Sequence, residues 1–250
     1  MLGVGSSAGT PMVGCKCETC TSSNPRNNRT RCSSLIELNN GKTILIDTGP
    51  DLRLQSLREG LTQVDAVLYT HTHADHLHGI DDLRAFCYLQ RRQIQIYGSH
   101  EAMTHIANKF AYTLREPSNY WDMPTLKVNP VNTAFEIFGQ TIIPIPLKHG
   151  NSDIYGYRIG DIAYLTDVST IPESSLRLLE GLKLLLLDCL RYKAHHTHIN
   201  LEQSLRYAGL IKAKSTYLIH MTHDIEYASL SAQLPPDVYV GYDGLKVAVG

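Results

Sequence analysis

The segment Thr70-His71-Thr72-His73-Ala74-Asp75-His76-Leu77-His78 puts three imidazoles and one carboxylate into the six residues from His71 to His76. Imidazole is the commonest side-chain metal ligand, so a cluster of this density calls for an explanation that a lone histidine does not. Alternation along an extended chain sends His71 and His73 to the same side, where they can grip one metal ion. A turn into a helix then presents Asp75 and His76 to a second ion. Together they supply about half the ligands of a two-metal site. Matching contexts farther along offer the rest: Pro146-Leu147-Lys148-His149, Ala163-Tyr164-Leu165-Thr166-Asp167 and Tyr217-Leu218-Ile219-His220. Each is an apolar run ending in one metal-competent side chain, the placement expected of a site at a sheet edge. A pair of divalent ions held there would lower the pKa of a shared water and yield hydroxide at neutral pH.

A second cluster is Cys15-Lys16-Cys17-Glu18-Thr19-Cys20. Three thiols in six residues cannot all pair locally, and a reducing cytosol disfavours disulfides, so the spacing reads as a metal clip with three ligands, one short of a tetrahedral structural zinc. Cys32, Cys87 and Cys189 read as inert thiols.

To position these groups the chain offers many β-like runs rich in Ile, Val, Leu and Tyr: 34–38, 43–47, 66–70, 93–97, 126–130, 141–147, 154–159, 162–166, 182–188, 215–220 and 238–240. Turn signals separate them, including Asn39-Asn40-Gly41, Phe138-Gly139 and Ile159-Gly160-Asp161. The spacing predicts helices over 75–90, over 99–112 behind Ser99, over 172–179 behind a Pro, and over 200–211 capped by Asn200. Strands followed by helices, twice over, favour an α/β architecture of two sheets flanked by helices above one doubly wound sheet. The irregular stretch 114–124, with Tyr120 and Trp121, reads as a surface loop or lid whose aromatic pair either touches substrate or anchors on the core.

Composition narrows the class. The 250 residues are 43% apolar with 23 basic and 24 acidic side chains, which excludes a disordered chain and leaves no cationic surplus for a long polyanion. No apolar run is long enough to span a bilayer, and 1–5 lacks the features of a signal peptide, so a cytoplasmic protein without a membrane partner is expected. The glycines in 3–9 lack dinucleotide-fingerprint spacing.

The His-x-His-x-Asp-His run, with Leu45-Ile46-Asp47-Thr48-Gly49, His149, Asp167, His220 and Gly241-Tyr242-Asp243-Gly244, resembles the metallo-β-lactamase fold hydrolases over nearly the whole chain. Within that superfamily the sequence is most similar to the phosphodiesterase branch containing the phosphonate-pathway cyclic phosphodiesterase (PhnP type). The glycine loop in 2–10, the cysteine clip, His223 three residues after His220, and Thr197-His198-Ile199-Asn200-Leu201 carry that narrower likeness. The resemblance implies a four-layer αββα sandwich forming one hydrolase domain over 1–250. It puts His71, His73 and His149 on one metal and Asp75, His76 and His220 on the other, with Asp167 bridging. Asp75 is counted with His198 among the catalytic groups, His198 as proton donor. Asp47 would orient a ligand imidazole, and His223 would complete a structural zinc with Cys15, Cys17 and Cys20, pinning the N-terminal loop beside His220. The chain departs from the family by opening at the glycine loop, which leaves open a shortened first strand or a misassigned start.

The bland readings stand for His78, His100, His105, His195, His196, Arg53 and Arg84 as surface or helix-face residues, and for Asp243 as the anchor of a turn. Asp188 reads equally as an orienting carboxylate or a plain strand end. The function expected is a dinuclear-metal hydrolase, foremost a phosphodiesterase of small or cyclic phosphate esters, nucleotide-like ones among them, with two divalent ions (zinc, manganese or iron) and one structural zinc. Long nucleic acid is not expected as a partner, and homodimerisation is left open. The rivals are RNA 3′-end processing, which would want a basic Gly- and Lys-rich arm, and thioester or β-lactam hydrolysis on the same fold. A redox diiron or inactive protein is disfavoured, since His73 stands where diiron relatives place Glu and no ligand is missing.

Overall fold

The computed structural model describes residues 1–115 and 125–250, so nearly all of the 114–124 loop, with Tyr120 and Trp121, lies outside the described residues. The chain divides into two compact units, one comprising Ser33–Thr133 with Leu2, the other Gly3–Cys32 and Ala134–Gly250 with Met1.

The Ser33–Thr133 unit is built on a five-stranded sheet in simple sequential order, β1 (Ser34–Glu37), β2 (Thr43–Ile46), β3 (Ala66–Leu68), β4 (Ile94–Gly98) and β5 (Leu126–Pro130). The first pair is antiparallel and the rest are parallel. β2 and β3 are buried at every position, the near-continuous apolar pattern of interior parallel strands. Parallel neighbours need crossovers, supplied here by α1 (Leu52–Glu59), by α2 (Ala74–Leu77) with α3 (Leu83–Gln90), and by α4 (His100–Lys109). Their buried faces meet the sheet in a core that includes Leu45, Leu52, Val67, Leu77, Leu83 and Ile106.

The helix expected over 75–90 is corrected, and α1 stands where no helix is expected. Instead of one helix over 75–90 there are three pieces, α2, a 3-10 turn Ile80–Asp82, and α3. Thr48 ends the first piece, because its N–H donates to the His76 carbonyl at 2.7 Å and its hydroxyl to that of Leu77 at 3.2 Å. Gly79 then passes so close to Gly49 that a Cβ would lie 2.1 Å from the Gly49 carbonyl oxygen. Helix α1 carried no periodic signal, since it buries Leu52 and Gln55 while leaving Leu54 and Leu57 60% and 65% exposed. It ends at Gly60 in the left-handed conformation, whose N–H closes on the Ser56 and Leu57 carbonyls.

The other unit holds a seven-stranded mixed sheet, ordered β12-β11-β10-β9-β8-β7-β6. β6 (Phe135–Ile137), β7 (Gln140–His149), β8 (Ser152–Ile159) and β9 (Ile162–Leu165) form an antiparallel meander. β10 (Leu184–Asp188), β11 (Ser215–Ile219) and β12 (Val238–Val240) continue it in parallel. The short β6 was not foreseen, although its turn was: Phe138 and Gly139 both have positive φ, as a two-residue hairpin requires. Helices α5 (Glu173–Arg177), α6 (Leu201–Ile211) and α7 (Tyr227–Ser231) complete this unit. Asn200 starts α6 through a reciprocal pair of bonds with Gln203, and Leu165, Leu185, Leu187, Ile199 and Ile211 share its apolar core. Among the described residues no helix is long and apolar enough to cross a membrane.

Candidate metal centres

Three of the sequence-selected residues stand at strand ends with left-handed backbone: Asp47 after β2 (φ 60°), Asp167 after β9 (φ 56°) and His220 after β11 (φ 60°). A non-glycine residue in that region costs about 1–3 kcal/mol, which surrounding structure must offset. The reversal turns each side chain out of the strand's alternation, and each is at most 2% exposed.

In the Ser33–Thr133 unit, Asp47 is the organiser. Its Oδ1 accepts the Thr70 N–H and its Oδ2 the Thr70 hydroxyl, both at 2.8 Å. Burial pushes the Asp47 carboxyl upward in pKa, opposed by the His76 imidazole and the Thr70 donors. His76 Nδ1 donates to Oδ2 at 2.8 Å, which leaves Nε2 with its lone pair, 3.2 Å from Asp75 Oδ2. Having given its proton to Asp47, the Thr70 hydroxyl accepts from His71 Nδ1 at 3.0 Å, so the His71 lone pair also sits on Nε2. The His71 ring lies 4.6 Å from that of His73 and 4.4 Å from that of His76, centroid to centroid. Three imidazoles and Asp75 thus gather at the β3–α2 junction, with the tautomers of two set by hydrogen bonding, as metal-ligating histidines require.

In the other unit, His149 closes β7 and donates from Nδ1 to the Thr197 carbonyl at 2.9 Å. Its Nε2 lies 3.8 Å from Asp167 Oδ2, while His220 Nε2 lies 3.3 Å from Asp167 Oδ1. The two oxygens of one buried carboxylate therefore address different imidazoles, the arrangement a bridging ligand needs. Asp188 ends β10, which runs between β9 and β11, and so stands between the strands carrying Asp167 and His220. Its Oδ2 accepts from Val168 N–H at 2.8 Å and from His198 Nδ1 at 3.2 Å, and its Oδ1 lies 3.5 Å from His220 Nδ1. His198 stacks on His220 with centroids 4.9 Å apart and planes 12° apart. Its Nε2, 3.9 Å from Asp167 Oδ2, is directed to the same carboxylate as His149 and His220. His195 lies beside this group, its ring 5.4 Å from His198, with Nδ1 accepting from the Thr197 hydroxyl at 3.1 Å. Burial and the neighbouring His198, His196 and Arg191 lower its pKa.

A separate donor set, within the same unit, is the cysteine clip. The ligating atoms of Cys15, Cys17, Cys20 and His223 all lie within 4.8 Å of one another, with His223 Nδ1 3.3 Å from Cys15 Sγ and 3.2 Å from Cys17 Sγ. Tetrahedral zinc with bonds of about 2.0–2.3 Å sets ligand atoms roughly 3.5–3.8 Å apart, so these four donors fit it. The hydrogen bond from His223 lowers the Cys17 thiol to about 6, whereas burial raises Cys20 to about 11. Beside the clip, Gly5 bridges to both Arg31 and Met221, and Met221 N–H donates to the Val4 carbonyl at 2.9 Å. The N-terminal segment is thereby fixed next to His220. Asp243 acts as a turn anchor, accepting from Val4 N–H at 3.0 Å and from the Thr30 N–H and hydroxyl at 2.9 and 2.6 Å.

The sequence singled out the ligand-type residues in both units but not Thr70, whose two donors fix Asp47, nor Thr197, whose carbonyl orients His149. A main-chain carbonyl leaves no mark in sequence. Asp188, which the sequence leaves between an orienting carboxylate and a plain strand end, ends an all-leucine strand and contacts both His198 and His220.

Residues 42–221 match the family described as the β-lactamase superfamily domain. A solved structure described as a new diphosphatase from the PhnP family superposes with a TM-score of 0.92 at 40% identity, covering 98% of this chain and 94% of that one. The chain is also 38% identical over 256 residues to the octanoyltransferase of Porphyromonas gingivalis, matching along its whole length but spanning only 51% of that relative. It is 29% identical over 210 residues to the anti-Pycsar protein Apyc1 of Paenibacillus harenae, covering 78% of this chain and 84% of that protein. The chain belongs to the β-lactamase superfamily, with the metallo-β-lactamase α/β fold of two mixed sheets flanked by helices, on its PhnP-like branch. Its His/Asp clusters could hold divalent metal ions.

Proposed function

We propose that residues 1–250 act as one hydrolase domain that cleaves small phosphate esters, phosphodiesters and cyclic phosphates foremost. The ligand assignment belongs to the same proposal: His71, His73 and His149 on one divalent ion, Asp75, His76 and His220 on another, Asp167 shared, and Cys15, Cys17, Cys20 and His223 on a structural zinc. When bound, such an ion pair supplies an acidified water and neutralises charge on the phosphoryl oxygens. The residues supply orientation: Asp47 and the Thr197 carbonyl hold the His76 and His149 rings with Nε2 presented.

The observation that carries the phosphoester reading is the Asp188–His198 pair. A departing alkoxide needs a proton, and an imidazole held at Nδ1 by a buried carboxylate is oriented to deliver one from Nε2. Thiolates and nitrophenolates leave without that help, so a positioned donor is of most use with alkyl phosphodiesters. The diphosphatase relative supports phosphoryl chemistry and adds diphosphate bonds to the candidates. Octanoyl transfer is not carried over, because the relative with that name is about twice as long as this chain. A thiolate clip suits a reducing, cytoplasmic setting.

The test is a hydrolysis panel on metal-defined protein: an alkyl and an aryl phosphodiester, 2′,3′-cyclic nucleotides, a diphosphate diester, a glutathione thioester, a β-lactam and a tRNA precursor. Phosphodiesters should be preferred. His198→Ala should lower turnover of the alkyl diester by about 10²–10⁴-fold and of the aryl ester far less, with metal content unchanged. Preference for the thioester, the lactam or the tRNA would overturn the assignment.

A further inference from the structure

A buried polar network joins the chain after the three cysteines to the turn that carries His223. Arg29 is 2% exposed, and its guanidinium donates to the carbonyls of Thr222 at 3.0 Å and Ile225 at 2.7 Å and to Asn27 Oδ1 at 3.2 Å. Asn27, 1% exposed, uses both ends of its amide. Its Nδ2 donates to Ser22 Oγ at 3.0 Å and to Glu226 Oε1 at 2.7 Å, while Oδ1 also accepts the Tyr227 N–H at 2.8 Å. The second Glu226 oxygen accepts the Ser229 N–H at 2.7 Å and so caps α7.

The placement of these bonds is specific. Thr222 and Ile225 bracket His223, and Ser22 lies two residues beyond Cys20. A guanidinium removed from water is expensive to bury, and this one spends its protons mainly on the backbone either side of one imidazole. An apolar side chain could fill the same volume at lower desolvation cost but could not fix the direction of that turn.

We infer that Asn27, Arg29 and Glu226 are positioning residues that hold the His223 imidazole against the three thiols before a metal ion arrives. The inference rests on the structural-metal reading of Cys15, Cys17, Cys20 and His223. An imidazole already in place loses little freedom on ligation, so the network should strengthen binding and slow release. Groups that orient metal ligands typically change affinity by about 10–100-fold when removed.

The experiment uses the full chain loaded with cobalt(II), followed through the thiolate-to-cobalt charge-transfer band. A chromogenic chelator gives the release rate. In Arg29→Met and Asn27→Leu, release from the thiolate site should quicken by about 10–100-fold, with the band shifting toward that of His223→Ala. Glu226→Gln, which retains volume and one acceptor, gives a mild variant should those two fold poorly, and Arg29→Lys should recover part of the slow release. If the variants melt earlier but release cobalt at the parent rate with an unchanged band, the network is merely structural and the inference fails. If the parent protein shows no thiolate-to-cobalt band at all, the metal reading fails and takes the inference with it.

Discussion

Asp188 supports two imidazoles with one carboxylate, contacting His198 through Oδ2 and His220 through Oδ1. Replacing it by Asn keeps the volume but exchanges the anionic acceptor that orients the His198 ring for a neutral amide. In Asp188→Asn, alkyl phosphodiester turnover should fall by about 10–100-fold while aryl ester turnover changes less. Steady-state kinetics on the two ester classes, with metal content measured in parallel, checks this. Equal losses on both would mean that Asp188 acts through His220 alone. Asp47 has no such division of labour, because Thr70 takes both its oxygens and His76 one of them.

Two glycines behave oppositely because of the elements they occupy. Gly79 joins α2 to the next turn at negative φ, so its backbone would tolerate a side chain, but a Cβ there would collide with the Gly49 carbonyl. Gly79→Ala should destabilise by about 1–3 kcal/mol or more. Gly209 lies inside α6 and is exposed, with nothing near its Cβ direction. Gly209→Ala should stabilise by about 0.5–1 kcal/mol through helix propensity alone. Urea unfolding of the two variants against the parent gives both values, and a neutral Gly79→Ala would show that the β2–α1 and α2 turns do not pack as described.

In the molecule as a whole, one carboxylate ties early chain to late chain and should show in acid. Burial pushes Glu226 up, yet the Asn27 amide and the Ser229 and Ala228 N–H groups outweigh it and hold the group at about 2, below its ordinary 4.5. A folded pKa below the unfolded one means stability present above pH 4.5 and lost progressively as the pH falls toward 2. Glu226→Gln should therefore flatten the decline of melting temperature with pH across that interval. Because Glu226 is only half-buried, solvent screening keeps the contribution modest. An unchanged acid limb in the variant would place the loss of stability elsewhere.

Local pattern made most of the chemistry legible. Strand β3 with the histidine run after it, and the apolar runs ending at His149, Asp167 and His220, could be read directly, because alternation and apolar content act over a few residues. The cysteine spacing was visible for the same reason, as were the Ser99 and Asn200 caps, both found with their side-chain bonds. Folding alone decided the rest. That β10 runs between β9 and β11 makes Asp188 a neighbour of Asp167 and His220, and strand order is a property of the sheet. The break in the 75–90 helix depends on Thr48, and the cradle around His223 on Asn27 and Arg29, some 200 residues away. Hydrogen bonds between segments so far apart impose no periodicity on either one, so only the assembled chain reveals them.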